Sequence, residues 1–320
     1  MTTTSGDRRM AIDGGDIAAA RSRLGGRLRR TPVMAVEPGG LGVAGPVWFK
    51  LECLQFAGSF KTRGMVNRIA AAAERGELPP AGVVAASGGN AGLAVAYAAR
   101  EWGVPAEVFV PATAPPVKVA KIAALGARVV QVGTEYADAY QAATTRTGAL
   151  FCHAYDQFDV IAGHATLGPE LSAQITDGFD TVLVAVGGGG LLAGVAAALH
   201  GVARVVAVEP ESCPTLHAAL AAGRPVDVAV SGVAVDSLGA RRAGELPLRI
   251  ASAAGVACVL VGDRAIVDAR RLLWDSYRIV VEHGAATALA ALTCGAYRPS
   301  PGERVVVLLC GANTDPADLT

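Results

Sequence analysis

Apolar runs of strand length alternate along this chain with alanine-rich stretches whose apolar positions recur at helical spacing. The runs 47–51, 83–86, 106–110, 128–132, 181–186, 204–208, 258–261 and 304–309 are valine-rich and largely uninterrupted by polar residues. Continuous apolar character of that length predicts strands covered on both faces. Segments 16–24, 59–74, 91–102, 116–125, 136–147, 165–175, 191–199, 263–274 and 284–296 carry the spacing of helices. This alternation predicts an α/β protein with parallel twisted sheets flanked by helices. No repeat with a period of about 20–50 residues is visible, and no low-complexity linker divides the chain.

Composition narrows the class. With 320 residues, 52% of them hydrophobic and 18% charged, the chain buries a large core and suits one or two domains. Zero formal net charge and a pI near 7.0 leave no global field to draw in nucleic acid or an anionic membrane. Mean hydropathy of +0.40 comes from dispersed alanine and valine, and no apolar run reaches the roughly 18 residues of a membrane span. The polar segment from Met1 to Met10, with Arg8 and Arg9 and no apolar stretch behind them, does not read as a signal peptide. A cytoplasmic protein is expected. Its six cysteines form no C-x-x-C pair, which argues against a zinc ribbon or a disulfide framework.

Candidate chemistry lies in four short segments. They are Gly58-Ser59-Phe60-Lys61-Thr62-Arg63-Gly64, Ser87-Gly88-Gly89-Asn90, Gly187-Gly188-Gly189-Gly190 and Cys310-Gly311-Ala312-Asn313. Only four lysines occur, so amines able to form an imine are few: Lys61, Lys50 in a strand, and Lys118 and Lys121, which read as solvated on a helix. Taken alone, Lys61 reads as a surface helix lysine. The two glycine-containing turns fall where a strand ends and a helix begins, so free helix N–H groups face them. Gly188-x-Gly190-x-x-Ala193, followed by Glu209 at the end of the next strand, also fits a dinucleotide fingerprint. That reading leaves the other three segments unexplained. Ser87-Gly88-Gly89-Asn90 suits a carboxylate, or Asn90 is an ordinary helix cap. Cys310 closes a strand and reads equally as a small buried residue.

Taken together, the four segments, with Arg30-Thr31-Pro32 ahead of them, resemble the fold-type II pyridoxal-phosphate enzymes, and among these the serine/threonine dehydratases. The resemblance covers nearly the whole chain. It implies a two-domain architecture like that of the tryptophan synthase β chain, with a small domain of residues 58–155 inserted into a large one of 1–57 and 156–320. Lys61 would hold pyridoxal 5'-phosphate as an imine and then remove the Cα proton, with Phe60 stacked on the ring. Gly187, Gly188, Gly189, Gly190 and Leu191 would hold the phosphate. Ser87, Gly88, Gly89, Asn90 and Ala91 would bind the substrate carboxylate, and Asn90 the phenolic oxygen. Cys310 would face the pyridine nitrogen, and Asp236 to Gly239 the ring face opposite Phe60.

Departures from the family pattern refine the expectation. Racemases of the family carry a second serine where this chain has Gly88, which disfavours racemisation. Glu209 matches a cation ligand, but Thr215 stands where divalent-binding relatives carry aspartate, which leaves room only for a monovalent ion. Glu282 and His283 read as a charged first helical turn, with a lesser reading in which Glu282 approaches the cofactor. The implied activity is deamination of a small amino acid, L-serine or L-threonine, to pyruvate or 2-oxobutyrate plus ammonia. Other readings are a β-replacement enzyme, a lyase for an unusual β-hydroxy amino acid, or a nicotinamide-dependent oxidoreductase. A homodimer, without a C-terminal regulatory domain, is the expected form.

Overall fold

The computed structural model describes residues 11–319, so the N-terminal reading of Met1 to Met10 lies outside the described residues. Two sheets carry the fold. The larger has the order β1-β2-β10-β7-β8-β9, with β1 Val33–Ala35, β2 Val47–Lys50, β7 Thr181–Ala185, β8 Arg204–Pro210, β9 Ala257–Val261 and β10 Val305–Leu308. Only edge strand β1 runs antiparallel to its neighbour. The smaller is fully parallel in the order β5-β4-β3-β6, with β3 Val83–Ala86, β4 Ala106–Val110, β5 Arg128–Gln131 and β6 Leu150–Phe151. Every residue of β3, β7 and β10 is buried, as their continuous apolar character requires.

Helices cover both sheets: α1 Gly14–Leu24, α2 Lys61–Glu74, α3 Asn90–Trp102, α4 Pro116–Ala124, α5 Tyr136–Thr145, α6 Phe158–Ala165 and α7 Leu167–Gln174. They continue with α8 Gly190–Ala198, α9 Thr215–Ala222, α10 Val235–Leu238, α11 Glu245–Ala253, α12 Asp263–Tyr277 and α13 His283–Thr293. Among the described residues, no helix is long and apolar enough to cross a membrane. The helix expected at 165–175 is α7, and an unexpected helix, α6, runs up to it with a break at Thr166. There the backbone N–H tightens to a bond with Gly163 O, and the side-chain hydroxyl takes the same carbonyl at 2.7 Å. Each sheet has its own apolar core, and α2 packs against both α3 over the small sheet and α6 over the large one.

Strand order locates the crevice. From β7 the chain winds outward to β8 and β9, then returns to place β10 on the other side of β7. Such a reversal leaves an opening at the carboxyl ends of the two strands, where ligands of open α/β sheets bind. Those ends lead into Gly187 and Cys310, while the carboxyl end of β3 leads into Ser87.

Candidate active site

Lys61 opens α2 and is tied directly to the end of β10. Phe60 N–H donates to Cys310 O at 3.0 Å, and Ser59 bridges Gly311. The lysine amine reaches into the cleft, donates to Ala154 O at 2.8 Å and lies 5.0 Å from the centre of the Phe60 ring. Desolvation lowers its pKa to about 8, against the opposing pull of Cys310 and Glu282. A primary amine in that condition is neutral often enough to attack a carbonyl at ordinary pH.

The glycine turn joins β7 to α8. Gly189 holds φ at 93°, a left-handed conformation that glycine adopts without strain. Its neighbours are glycines for a second reason. A Cβ on Gly188 would lie 2.4 Å from the Tyr155 ring, and one on Gly190 would lie 2.6 Å from Tyr155 O. The N–H groups that open α8 have no intrahelical partner and point into the cleft mouth. Gly188→Ala should therefore push Tyr155 off its hydrogen bond to Arg242 O and weaken phosphate binding. We expect about a tenfold loss of cofactor affinity or more by absorbance titration, in line with the 1–3 kcal/mol typical of overpacking. An unchanged affinity would show that this turn does not hold the phosphate.

The Ser87 turn joins β3 to α3. Ser87 Oγ accepts from Gly89 N–H at 3.2 Å, and α3 begins at Asn90 with Gly89, not Asn90, as its cap residue. The Asn90 side chain points away from its helix. Its Nδ2 donates to Glu282 Oε1 at 2.7 Å, and its Oδ1 accepts from Asn313 Nδ2 at 2.6 Å. Cys310 is buried, and burial, then Glu282 and Cys53, push its thiol well above the usual range. It stays neutral at any working pH.

These elements form a narrow cleft that brings together Phe60, Lys61, Asn90, the four glycines, Leu191 and Cys310. Ser237 and Leu238, on the 236–239 segment, form part of its wall. An outer chamber takes in Gly88, Gly89, Leu93 and Val233, and shares Asn90, Ser237 and Glu282 with the inner cleft. Ser87 and Ala91 flank this chamber as chain neighbours of Gly88 and Asn90. Lys118, expected to be solvated, lines the chamber instead and donates to Asp236 at 3.0 Å across its mouth, drawing α4 towards α10.

Two placements differ from the sequence reading. Glu282, read as part of a charged helical turn, is buried inside the cleft; desolvation raises its pKa to about 7, against Asn90 and Lys61. The signal for it was the unassigned apolar run of Ile279, Val280 and Val281, which ends on an acid just before a helix, as the other site turns end strands. Glu209 lines neither chamber. Its two oxygens accept the N–H groups of Leu216 and His217, each at 2.7 Å, and so cap α9. Thr215 Oγ1 donates to Ala240 O, and among the described residues no three His, Cys, Asp or Glu side chains gather.

The fold and cleft define an α/β enzyme with a desolvated lysine, a glycine-lined anion cradle and a neutral thiol at the far end. That donor set fits a phosphorylated pyridine aldehyde: an amine for the carbonyl, free N–H groups for the phosphate and an amide donor at Asn90. The family of pyridoxal-phosphate dependent enzymes matches residues 26–311. Phenylserine dehydratase of Ralstonia pickettii is 37% identical over 310 residues, covering 94% of this chain and 93% of that protein. L-threonine ammonia-lyase of Thermotoga maritima is 34% identical over 306 residues, covering 94% and 75%. The solved structure of maize serine racemase superposes with a TM-score of 0.89 at 30% identity, covering 97% of this chain and 96% of that one. The chain belongs to the pyridoxal-phosphate dependent enzymes, as a fold-type II member of the serine/threonine dehydratase family.

Proposed function

We propose that the protein deaminates L-serine or L-threonine by β-elimination, giving pyruvate or 2-oxobutyrate and ammonia. Pyridoxal phosphate, when bound, supplies the electron sink that makes the Cα proton acidic. Lys61 holds the cofactor carbonyl and then, as a free amine lowered to a pKa of about 8, accepts that proton. The helix N-terminus at Gly88 to Ala91 orients the substrate carboxylate, and Asn90 donates to the cofactor oxygen. Cys310, held neutral by burial, does not keep a proton on the ring nitrogen as a carboxylate would. The observation that carries elimination over racemisation is Gly88, which has no side chain to serve as a second acid or base; a Cβ built there would meet only Val110, at 3.7 Å.

A second reading is favoured by the outer chamber. Its apolar residues Leu93 and Val233, set beside the inner cleft, offer a surface to a β-hydroxy amino acid with an apolar side chain larger than that of threonine, consistent with the phenylserine dehydratase relative. Release of 2-oxo acid from L-serine, L-threonine and L-threo-phenylserine, measured side by side on loaded protein, ranks the two readings. Preference for the small substrates supports the first and preference for phenylserine the second; no 2-oxo acid from any of them would remove both.

A further inference from the structure

Asn90, Ser237 and Glu282 sit at the seam between the inner cleft and the outer chamber, and of these only Glu282 is ionisable. Its carboxylate accepts from Asn90 Nδ2 at 2.7 Å and from the backbone N–H of Asn313. Asn313 Nδ2 in turn donates to Asn90 Oδ1 at 2.6 Å and to Ala57 O at 2.8 Å. This chain of contacts assigns the Asn90 amide. Turning it over would set its NH2 against the NH2 of Asn313 and its oxygen against the carboxylate. Glu282 uses one of the two Nδ2 hydrogens, which leaves the other for an acceptor in the cleft. The carboxylate reaches this position only because residue 311 is glycine: a Cβ there would lie 2.5 Å from Glu282 Oε1.

The charged and titratable groups facing Glu282 come from every neighbouring element. Lys61 does so from α2, Asp236 from α10, Cys310 from the end of β10 and Cys53 from behind it; His283 follows it in its own helix, and Arg270 of α12 donates to Val281 O one residue before it while pairing with Asp318. Cys310 and Cys53 stay neutral, and burial disfavours a charge on His283. Arg270 is held by Asp318, which leaves Lys61 as the cation of this set that lines the cleft with Glu282.

We propose that Glu282 is a positioning residue for cofactor capture: it fixes the donor face of Asn90 and supplies the negative charge against which Lys61 titrates. The inference rests on Lys61 being the cofactor lysine. Burial raises Glu282 to about 7 and lowers Lys61 to about 8, so the carboxyl is largely ionised over the range in which the amine loses its proton. A nearby negative charge favours the ammonium form; removing it lets Lys61 become neutral at lower pH.

The test uses protein stripped of cofactor and then supplied with pyridoxal phosphate, and reads how fast the visible absorbance of the lysine-bound cofactor appears as a function of pH. Glu282→Gln keeps the shape and an acceptor for Asn90 but not the charge. Its midpoint for the rise in rate with pH is expected to fall by about one unit. Glu282→Asp keeps the charge at shorter reach, so its midpoint stays near the parent's while cofactor affinity falls about tenfold through the loosened Asn90. An unshifted midpoint in Glu282→Gln, or equal shifts in both variants, overturns the proposal. Loss of the absorbance only in Lys61→Ala tests the underlying assignment separately. If that variant kept the absorbance, the lysine assignment and this inference would both fall.

Discussion

Lys61→Ala is expected to lower 2-oxo acid formation by at least about 10³-fold and to remove the visible absorbance of the lysine-bound cofactor, because one amine serves both as carbonyl partner and as base. No other lysine can substitute. Lys50 is fully buried and committed to Glu170, Gln174 and Thr31 O; Lys118 is bonded to Asp236; Lys121 lies exposed at the outer chamber. Lys61→Arg should fail as well, since a guanidinium does not lose its proton at working pH. Both outcomes are read from product assays together with absorbance spectra of the purified variants. Turnover near the parent rate in Lys61→Ala would remove the proposed mechanism.

The largest expected effect on stability comes from Arg63, two residues after Lys61. Its guanidinium donates to both oxygens of Glu52, at 2.8 and 2.7 Å, and reaches both oxygens of Glu170 at 3.0 Å. Lys50 Nζ bonds the same Glu170 at 2.5 Å. Two cations and two carboxylates therefore balance in a site almost closed to water, linking β2, the first turn of α2 and α7. Arg63→Met would leave two carboxylates facing one ammonium. Breaking a buried pair from one side costs about 3–5 kcal/mol, because the remaining charge is neither paired nor hydrated. Denaturant unfolding of the variant measures this directly, and a loss below about 1 kcal/mol would show that water already reaches the cluster. Arg63→Lys should recover little of the loss, since a single ammonium cannot span two carboxylates as the planar fork does.

Much of this architecture was legible in the chain. The strand at 83–86 and the strand at 106–110 fall where their apolar runs begin and end, because buried parallel strands carry an uninterrupted signal. Edge strands β1 and β6 are too short to show one. Helix α6 escaped for a physical reason: all eight of its residues are buried, so it has no polar face and no 3.6-residue stripe to detect. Helix α9 follows Pro214 within a short alanine-rich stretch, and α11 carries Pro247 in its first turn, so neither shows a long period.

Site residues divide in the same way. Asn90 and the glycine turn were marked by their strand-to-helix junctions, and Phe60, Lys61 and Cys310 by the family resemblance; the structure gathers all of them around one cleft. Glu282 and Lys50 were noticed, but the sequence did not give either the partner it has in the structure. Each takes its meaning from a partner far away in sequence, Asn90 for one and Glu170 for the other, and nothing local distinguishes a buried acid from a solvated one. Glu209 was assigned to a cation by the resemblance alone; in the structure its two oxygens cap the N-terminus of α9, a partner that strand-end position does not reveal.

Elimination at the Lys61 site is the central claim, and the fate of L-serine and L-threonine in the loaded enzyme tests it most directly. Following 2-oxo acid, ammonia and the chirality of residual substrate in one reaction, the account predicts equal amounts of 2-oxo acid and ammonia with the remaining substrate still in the L form. Accumulation of the D isomer without matching 2-oxo acid would contradict it, because it would require a second acid or base that Gly88 does not provide.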